Sequence, residues 1–282
     1  MKRGYVKGQI SIFIIVGILI GVIGIFGYGL KVQHDDAISN EFFSQEELKP
    51  QIENIQSNVF MCLYEPSKEG LRVIGVQGGY YNKPDKIFDL GNEFIPYYYY
   101  EGNFLMPSSE KIADELESLV EDKVDVCLNE LKFEGFELEH SLPNAKVSID
   151  SGEVIFKIDS LVGISREGKR IVVDTKDYSV SHASALKDIL EVANYIVDSH
   201  RIDSKMYCIS CLDKLAEEKD VYVQNIPFAD NSVLVIIGEN RTSDSPYLFS
   251  FLNKYTGEEI SDDNVLTGEY AEGFPGSLEV VW

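Results

Sequence analysis

Basic side chains are in short supply. Of 282 residues, 25 are Lys or Arg against 47 Asp or Glu, a formal charge of −22. Nucleic-acid binding needs cations to neutralise phosphates, so the balance argues against that partner. It argues equally against peripheral attachment to anionic lipid. Histidine is scarcer still. His34, His140, His182 and His200 show no His-Glu-x-x-His or other ligand spacing, and each is read as a surface or internally satisfied residue. There is no Gly-x-Ser-x-Gly, no phosphate loop and no Gly-x-Gly-x-x-Gly. Carboxylates are so common that a pair of them carries no information about acid–base chemistry. Asp262 and Asp263 invite a Ca²⁺ site, but the spacing of an EF-hand is missing, so a solvated acidic face is the reading. The sequence therefore nominates no catalytic residue, no metal and no cofactor.

Cysteine is limited to Cys62, Cys127, Cys208 and Cys211. Zinc would need two more ligands beside Cys208-Ile-Ser-Cys211, and no second Cys-x-x-Cys or His pair is present. Structural disulfides are the favoured reading, with a redox pair at Cys208 and Cys211 as the alternative. There is one Trp, yet 16 Tyr and 15 Phe, and 44% of the chain is hydrophobic. A disordered tail is excluded by that content, and the aromatic balance favours a sheet-rich component.

What the chain does have is one long apolar run. From Ile10 to Leu30 no residue is charged. As a helix that run is about 30 Å long, enough to cross a bilayer's hydrocarbon core. Lys2, Arg3 and Lys7 precede it, which places the N-terminus on the cytoplasmic side. A cleaved secretory signal has a shorter apolar region closed by a small-x-small site. Here the run is longer, no Ala-x-Ala follows it, and Gly27-Tyr28-Gly29 is the nearest substitute, so a retained helix is the favoured reading. Gly17, Gly21 and Gly24 leave one helix face nearly free of side chains, a candidate surface for close helix packing. Three of the 25 bases and none of the 47 acids precede Lys31, so the remainder carries a net charge of −25.

Lys7-Gly8-Gln9-Ile10-Ser11 resembles the class III signal peptide of archaeal type IV pilin-like proteins. The resemblance covers residues 1–30 only. It implies peptidase cleavage between Gly8 and Gln9, with the apolar helix retained. Many type IV pilins carry Glu five residues into the mature chain, where this sequence has Phe13. That departure, with the negative charge, favours a membrane-held monomer, small oligomer or minor pilin-like component over the bulk subunit of a filament.

Beyond the anchor, residues 31–48 read as an acidic stalk. Ile52, Ile55, Val59 and Cys62 fall on one helical face, which Pro66 is expected to kink or end before a second piece reaches Gly78-Gly79. Glu93–Tyr100, a turn at Glu101–Asn103 and Phe104–Met106 form a hairpin, with Pro96 marking its first strand as a sheet edge. Alternation there buries two of Tyr97, Tyr98, Tyr99 and Tyr100 and exposes two, a candidate binding surface. Ser108 or Ser109 caps a helix whose stripe runs from Ile112 to Leu131 and includes Cys127. The helices of Cys62 and Cys127 each place their Cys on the apolar stripe, so these two are expected to pair. Cys208 and Cys211 then pair locally.

Phe136–Glu139, Ala145–Ile149, Glu153–Ile164 and Lys169–Val180 read as an antiparallel meander, with turns at Asp150-Ser-Gly152 and Arg166-Glu-Gly168. Helices follow at Ala183–Val197 and Cys208–Glu218, then strands at Val221–Ile226, Ser232–Gly238 and Tyr247–Tyr255. Asn240-Arg-Thr242 is a glycosylation sequon at a turn.

The fold class is thus α+β: a single transmembrane helix, then an external domain of antiparallel sheet and helices. The divisions are a cytoplasmic flank (1–9), the membrane helix (10–30), the stalk (31–48), a helical region with the Tyr-rich hairpin (49–135) and an α+β region (136–282). The expected function is that of a single-pass cell-surface protein with an extracellular, non-catalytic binding or assembly domain. Its expected partners are the membrane and other pilin-like or surface proteins. The alternatives are an anchored thiol–disulfide oxidoreductase and an anchored hydrolase.

Overall fold

A computed structural model describes residues 48–176, 178–203, 208–240 and 246–256. The apolar run with Gly17, Gly21 and Gly24, and the motif at Gly8 and Gln9, lie outside them. Among the described residues no helix is long and apolar enough to cross a membrane.

Helix α1 spans Lys49–Val76 without a break. Its expected stripe is the buried one: Ile52, Ile55, Val59 and Cys62 are followed by Leu63, Pro66, Gly70, Leu71 and Ile74. Pro66 does not end the helix. It lies on the buried face, and beside it the Ser67 hydroxyl donates to the Tyr64 carbonyl at 2.8 Å. Burial on both sides of Pro66 outweighs the roughly 3 kcal/mol that an interior proline costs, since each fully buried aliphatic side chain contributes about 1.5–3 kcal/mol. The helix stops where left-handed angles begin, at Gly78 (φ 51°) and Gly79 (φ 83°), and the Gly79 N–H caps the Ile74 carbonyl.

Helix α2, Ser109–Glu130, starts at Ser108, whose side chain accepts from the Lys111 N–H at 3.2 Å. It packs on α1 closely enough that a Cβ on Gly70 would sit 2.9 Å from Leu119 Cδ2. The Cys62–Cys127 disulfide joins the two helices, with its Cα atoms 5.6 Å apart, as the two apolar stripes require.

Between the helices run β1 (Ile87–Asp89), β2 (Phe94–Tyr100) and β3 (Asn103–Phe104). The hairpin exists, with Glu101 and Gly102 both at positive φ as its two-residue turn. Pro96, however, does not mark an edge. Strand β2 pairs with β1 on one side and, in parallel, with β12 (Leu248–Lys254) on the other. The parallel ladder begins at Tyr97, and Tyr97 also supplies the N–H to Lys86 on the β1 side. The missing N–H of Pro96 falls where no ladder bond is made.

The region read as one meander is two three-stranded sheets. Strands β4 (Glu137–His140), β7 (Leu161–Arg166) and β8 (Lys169–Asp174) form one, in the order β4-β7-β8. Strands β5 (Asn144–Asp150), β6 (Glu153–Asp159) and β9 (Ser179–Ala183) form the other, in the order β5-β6-β9. All their pairings are antiparallel. Each of the two long expected strands changes sheet partway, at Ser160 and at Thr175, both fully buried. The Thr175 hydroxyl accepts from the Ser160 N–H at 2.8 Å and donates to a main-chain carbonyl there, so the corner leaves no polar group unpaired.

Helices α3 (Leu186–Ser199) and α4 (Ile209–Glu218) precede β10 (Val221–Phe228) and β11 (Ser232–Glu239). The largest sheet has the order β1-β2-β12-β11-β10, with β3 beside β2. Because β2 and β12 are neighbours, residues 49–135 and the C-terminal strands share one sheet. One apolar core also runs through both, from Ile52 and Leu116 to Ile189 and Phe251.

Candidate functional site

The tyrosine run is mostly interior. Tyr97, Tyr98 and Tyr99 are buried, and Tyr100 is partly covered. The expected split of two buried and two exposed fails because both faces of β2 are covered, Tyr98 lying in the main core and Tyr97 in a second apolar cluster. The β2–β12 register also shifts between Leu252 and Asn253. Such a bulge re-aims side chains. Tyr98 stacks on Phe251, ring centroids 4.3 Å apart, and donates to the Gly78 carbonyl at 2.9 Å. Tyr99 lies 4.7 Å from the His200 ring, and Tyr97 packs with Ile95 and Leu252. Tyr100 is the member that faces outward, between Lys86 at 4.6 Å and Lys254 at 5.2 Å.

Two histidines take part in the packing, His200 buried and His182 half-buried. His200 is 4% exposed, with Tyr255 Oη 3.2 Å from its Nε2 and Asn253 Nδ2 at 3.4 Å. Burial holds it below the ordinary histidine range, partly opposed by the Asp203 backbone. His182 Nε2 lies 2.7 Å from Ser67 Oγ. The pair resembles a nucleophile and its base, but its bonding is the reverse. The Ser67 hydroxyl is fully buried and spends its proton on Tyr64, so His182 acts as the donor to it. His182 is likewise held low, by burial and then by Lys68. Its role is to tie β9 to α1 beside Pro66.

Glu115 is a buried carboxylate that nothing in the sequence singles out. It accepts from the Tyr81 N–H (3.0 Å), the Asn82 N–H (2.8 Å) and Lys111 Nζ (2.7 Å). Burial alone would raise it; these donors outweigh that and hold it below the usual carboxylate range. Its full coordination by one loop and one lysine marks it as a clamp between α2 and the chain after α1.

At the tip of the β7–β8 hairpin lies an open groove of about 820 Å³, lined by Phe136, Arg166, Lys169 and Arg170 among others. Three bases within residues 166–170 stand out in a chain short of bases, although in sequence the stretch shows only as a turn and its flanks. Their charge is largely answered in place. Glu139 meets Arg170 at 3.6 Å, Glu167 meets Arg166 at 3.9 Å, and Arg166 also donates to Gln51 and covers the Phe136 ring. Exposed pairs of this kind are worth little individually.

All four cysteines are bonded, as Cys62–Cys127 and Cys208–Cys211. Cys208 is the N-cap of α4, and its Sγ accepts from the Cys211 N–H at 3.2 Å. Both Cys208 and Cys211 are exposed. Asn240 is exposed just beyond β11, its N–H bonded to the Asp220 carbonyl. Among the described residues no cluster of three or more His, Cys, Asp or Glu is placed to hold a metal ion, and Asp262 and Asp263 lie outside them. Comparison with known protein families, characterised proteins and solved structures finds no match to this chain.

Proposed function

We propose that this chain is a single-pass, membrane-anchored, pilin-like cell-surface protein whose acidic external domain binds or assembles and does not catalyse. The observation that carries the reading is the pairing of every cysteine in the chain. Disulfides persist in oxidising surroundings, outside the cytoplasm. The run Ile10–Leu30 behind Lys2, Arg3 and Lys7 supplies the matching topology, basic flank inside and domain outside. The Lys7-Gly8-Gln9 motif adds processing before Gln9 with the helix retained. Each candidate nucleophile or base in the core serves the fold, since Ser67 and His182 bond each other and Glu115 clamps a loop. Those assignments support binding over turnover.

Mass spectrometry of the N-terminal peptide from the membrane fraction tests this. A mature chain starting at Gln9 supports the pilin-like reading. A start at Met1 reduces it to a plain signal anchor, and a start beyond Leu30 removes the anchor.

A further inference from the structure

The two disulfides do different things. Cys62–Cys127 spans 65 residues, with Cys62 only 1% exposed between two packed helices. Cys208–Cys211 spans three residues and is open to solvent. A bridge restrains the unfolded chain in proportion to the logarithm of the loop it closes, so the short one adds far less to the fold. Helix α4 already sets the backbone of that loop. What the short bridge has instead is chemistry. Cys208 sits at the helix N-terminus, its Sγ receives the Cys211 N–H, and Ser210 Oγ stands 3.5 Å away. Donors so placed favour a thiolate at Cys208 once the bond opens. Cys211 lies one turn into the helix, and among the described residues no hydrogen bond reaches its Sγ.

We propose that Cys208–Cys211 is a thiol-exchange site through which the external domain reversibly captures a partner protein carrying a reactive thiol. The partner's thiolate attacks Cys211 Sγ, and the Cys208–Cys211 bond breaks as the new bond forms. Cys208 leaves as the thiolate that its donors stabilise, and the proton lost by the partner thiol passes to solvent. One disulfide is consumed and one is made, so no outside oxidant is needed. Attack by Cys208 on the mixed disulfide releases the partner. The thiol comes from another protein, because all four cysteines of this chain are bonded. The site goes beyond the surface-protein reading and depends on it only for the oxidising compartment.

The test uses the full-length chain in detergent with oxidised glutathione as the probe. Cys211→Ser leaves Cys208 alone, and Cys208→Ser leaves Cys211 alone. At neutral pH the first variant is expected to form its glutathione adduct about tenfold faster than the second, read by intact mass. Equal rates, or a faster Cys208→Ser, overturn the proposal. The unaltered chain gives a second readout under graded dithiothreitol. Cys208–Cys211 opens at reductant levels that leave Cys62–Cys127 closed, and simultaneous opening of the two contradicts the assignment.

Discussion

Ser160 and Thr175 are bonded to each other where two strands cross from one sheet to another. The Ser160 N–H donates to Thr175 Oγ1 at 2.8 Å, and the Thr175 N–H returns to the Ser160 carbonyl at 3.1 Å. Both residues are fully buried. Removing one partner leaves a buried group unpaired, at a cost of about 1–3 kcal/mol. Thr175→Val is therefore expected to lower the urea midpoint by that equivalent, while Thr175→Ser, which keeps the hydroxyl, loses less. Equal stability of Thr175→Val and the unaltered chain would show that the corner does not depend on this bond.

The Cys62–Cys127 bridge is expected to matter for stability. It closes a long loop, so the double variant Cys62→Ala/Cys127→Ala loses about 2–4 kcal/mol of unfolding free energy. Urea denaturation measures it, and a loss well under 1 kcal/mol would mean that the packed stripes of α1 and α2 already supply the restraint.

Gly75 marks the docking of α1 on β12. A Cβ there would sit 2.2 Å from the Leu248 carbonyl oxygen and 3.0 Å from the Tyr247 ring. An exposed helical Gly gains about 1 kcal/mol on becoming Ala. Here the obstacle is main chain in a paired strand, so Gly75→Ala is expected to destabilise by about 1–3 kcal/mol. A rise in melting temperature would contradict the contact.

Acid should weaken the fold in two stages. His200 and His182 sit below their ordinary value of 6.5, chiefly through burial, and regain it on unfolding. Between those values the unfolded chain binds more protons, so stability is complete above about pH 6.5 and falls as pH drops below it. Glu115 is held below its ordinary 4.5 by its donors, so its contribution is lost only as pH falls through that lower range. Urea midpoints at several pH values check this. The slope below pH ~6.5 should flatten in a His182→Gln/His200→Gln variant, and an unchanged slope would show that other groups carry it.

Local features of this fold are open to reading from residues in order. The stripes of α1 and α2, the turns at Gly152 and Gly168 and the strands β10 to β12 follow from periodicity and turn chemistry. The Cys62–Cys127 pairing follows because each helix puts its Cys on its buried face. Pro66 misleads, since the burial of the stripe on both sides of it overrides a local penalty. The sheet change at Ser160 and Thr175 is hidden because a small polar residue inside a strand pattern looks like ordinary alternation. The parallel pairing of β2 with β12 joins residues about 150 apart in sequence, and no local signal encodes it. The Glu115 clamp and the Ser67–His182 bond are illegible for the same reason: each joins side chains brought together only by tertiary packing.

The central claim is that the folded domain stands outside a membrane-held helix. Protease treatment of intact cells tests it most directly, followed by mass spectrometry of what is released and what stays. The account predicts that a disulfide-bonded fragment containing residues 48–256 appears in the medium while peptides from Ile10–Leu30 remain with the membrane. A domain that resists digestion until the cells are lysed would contradict it.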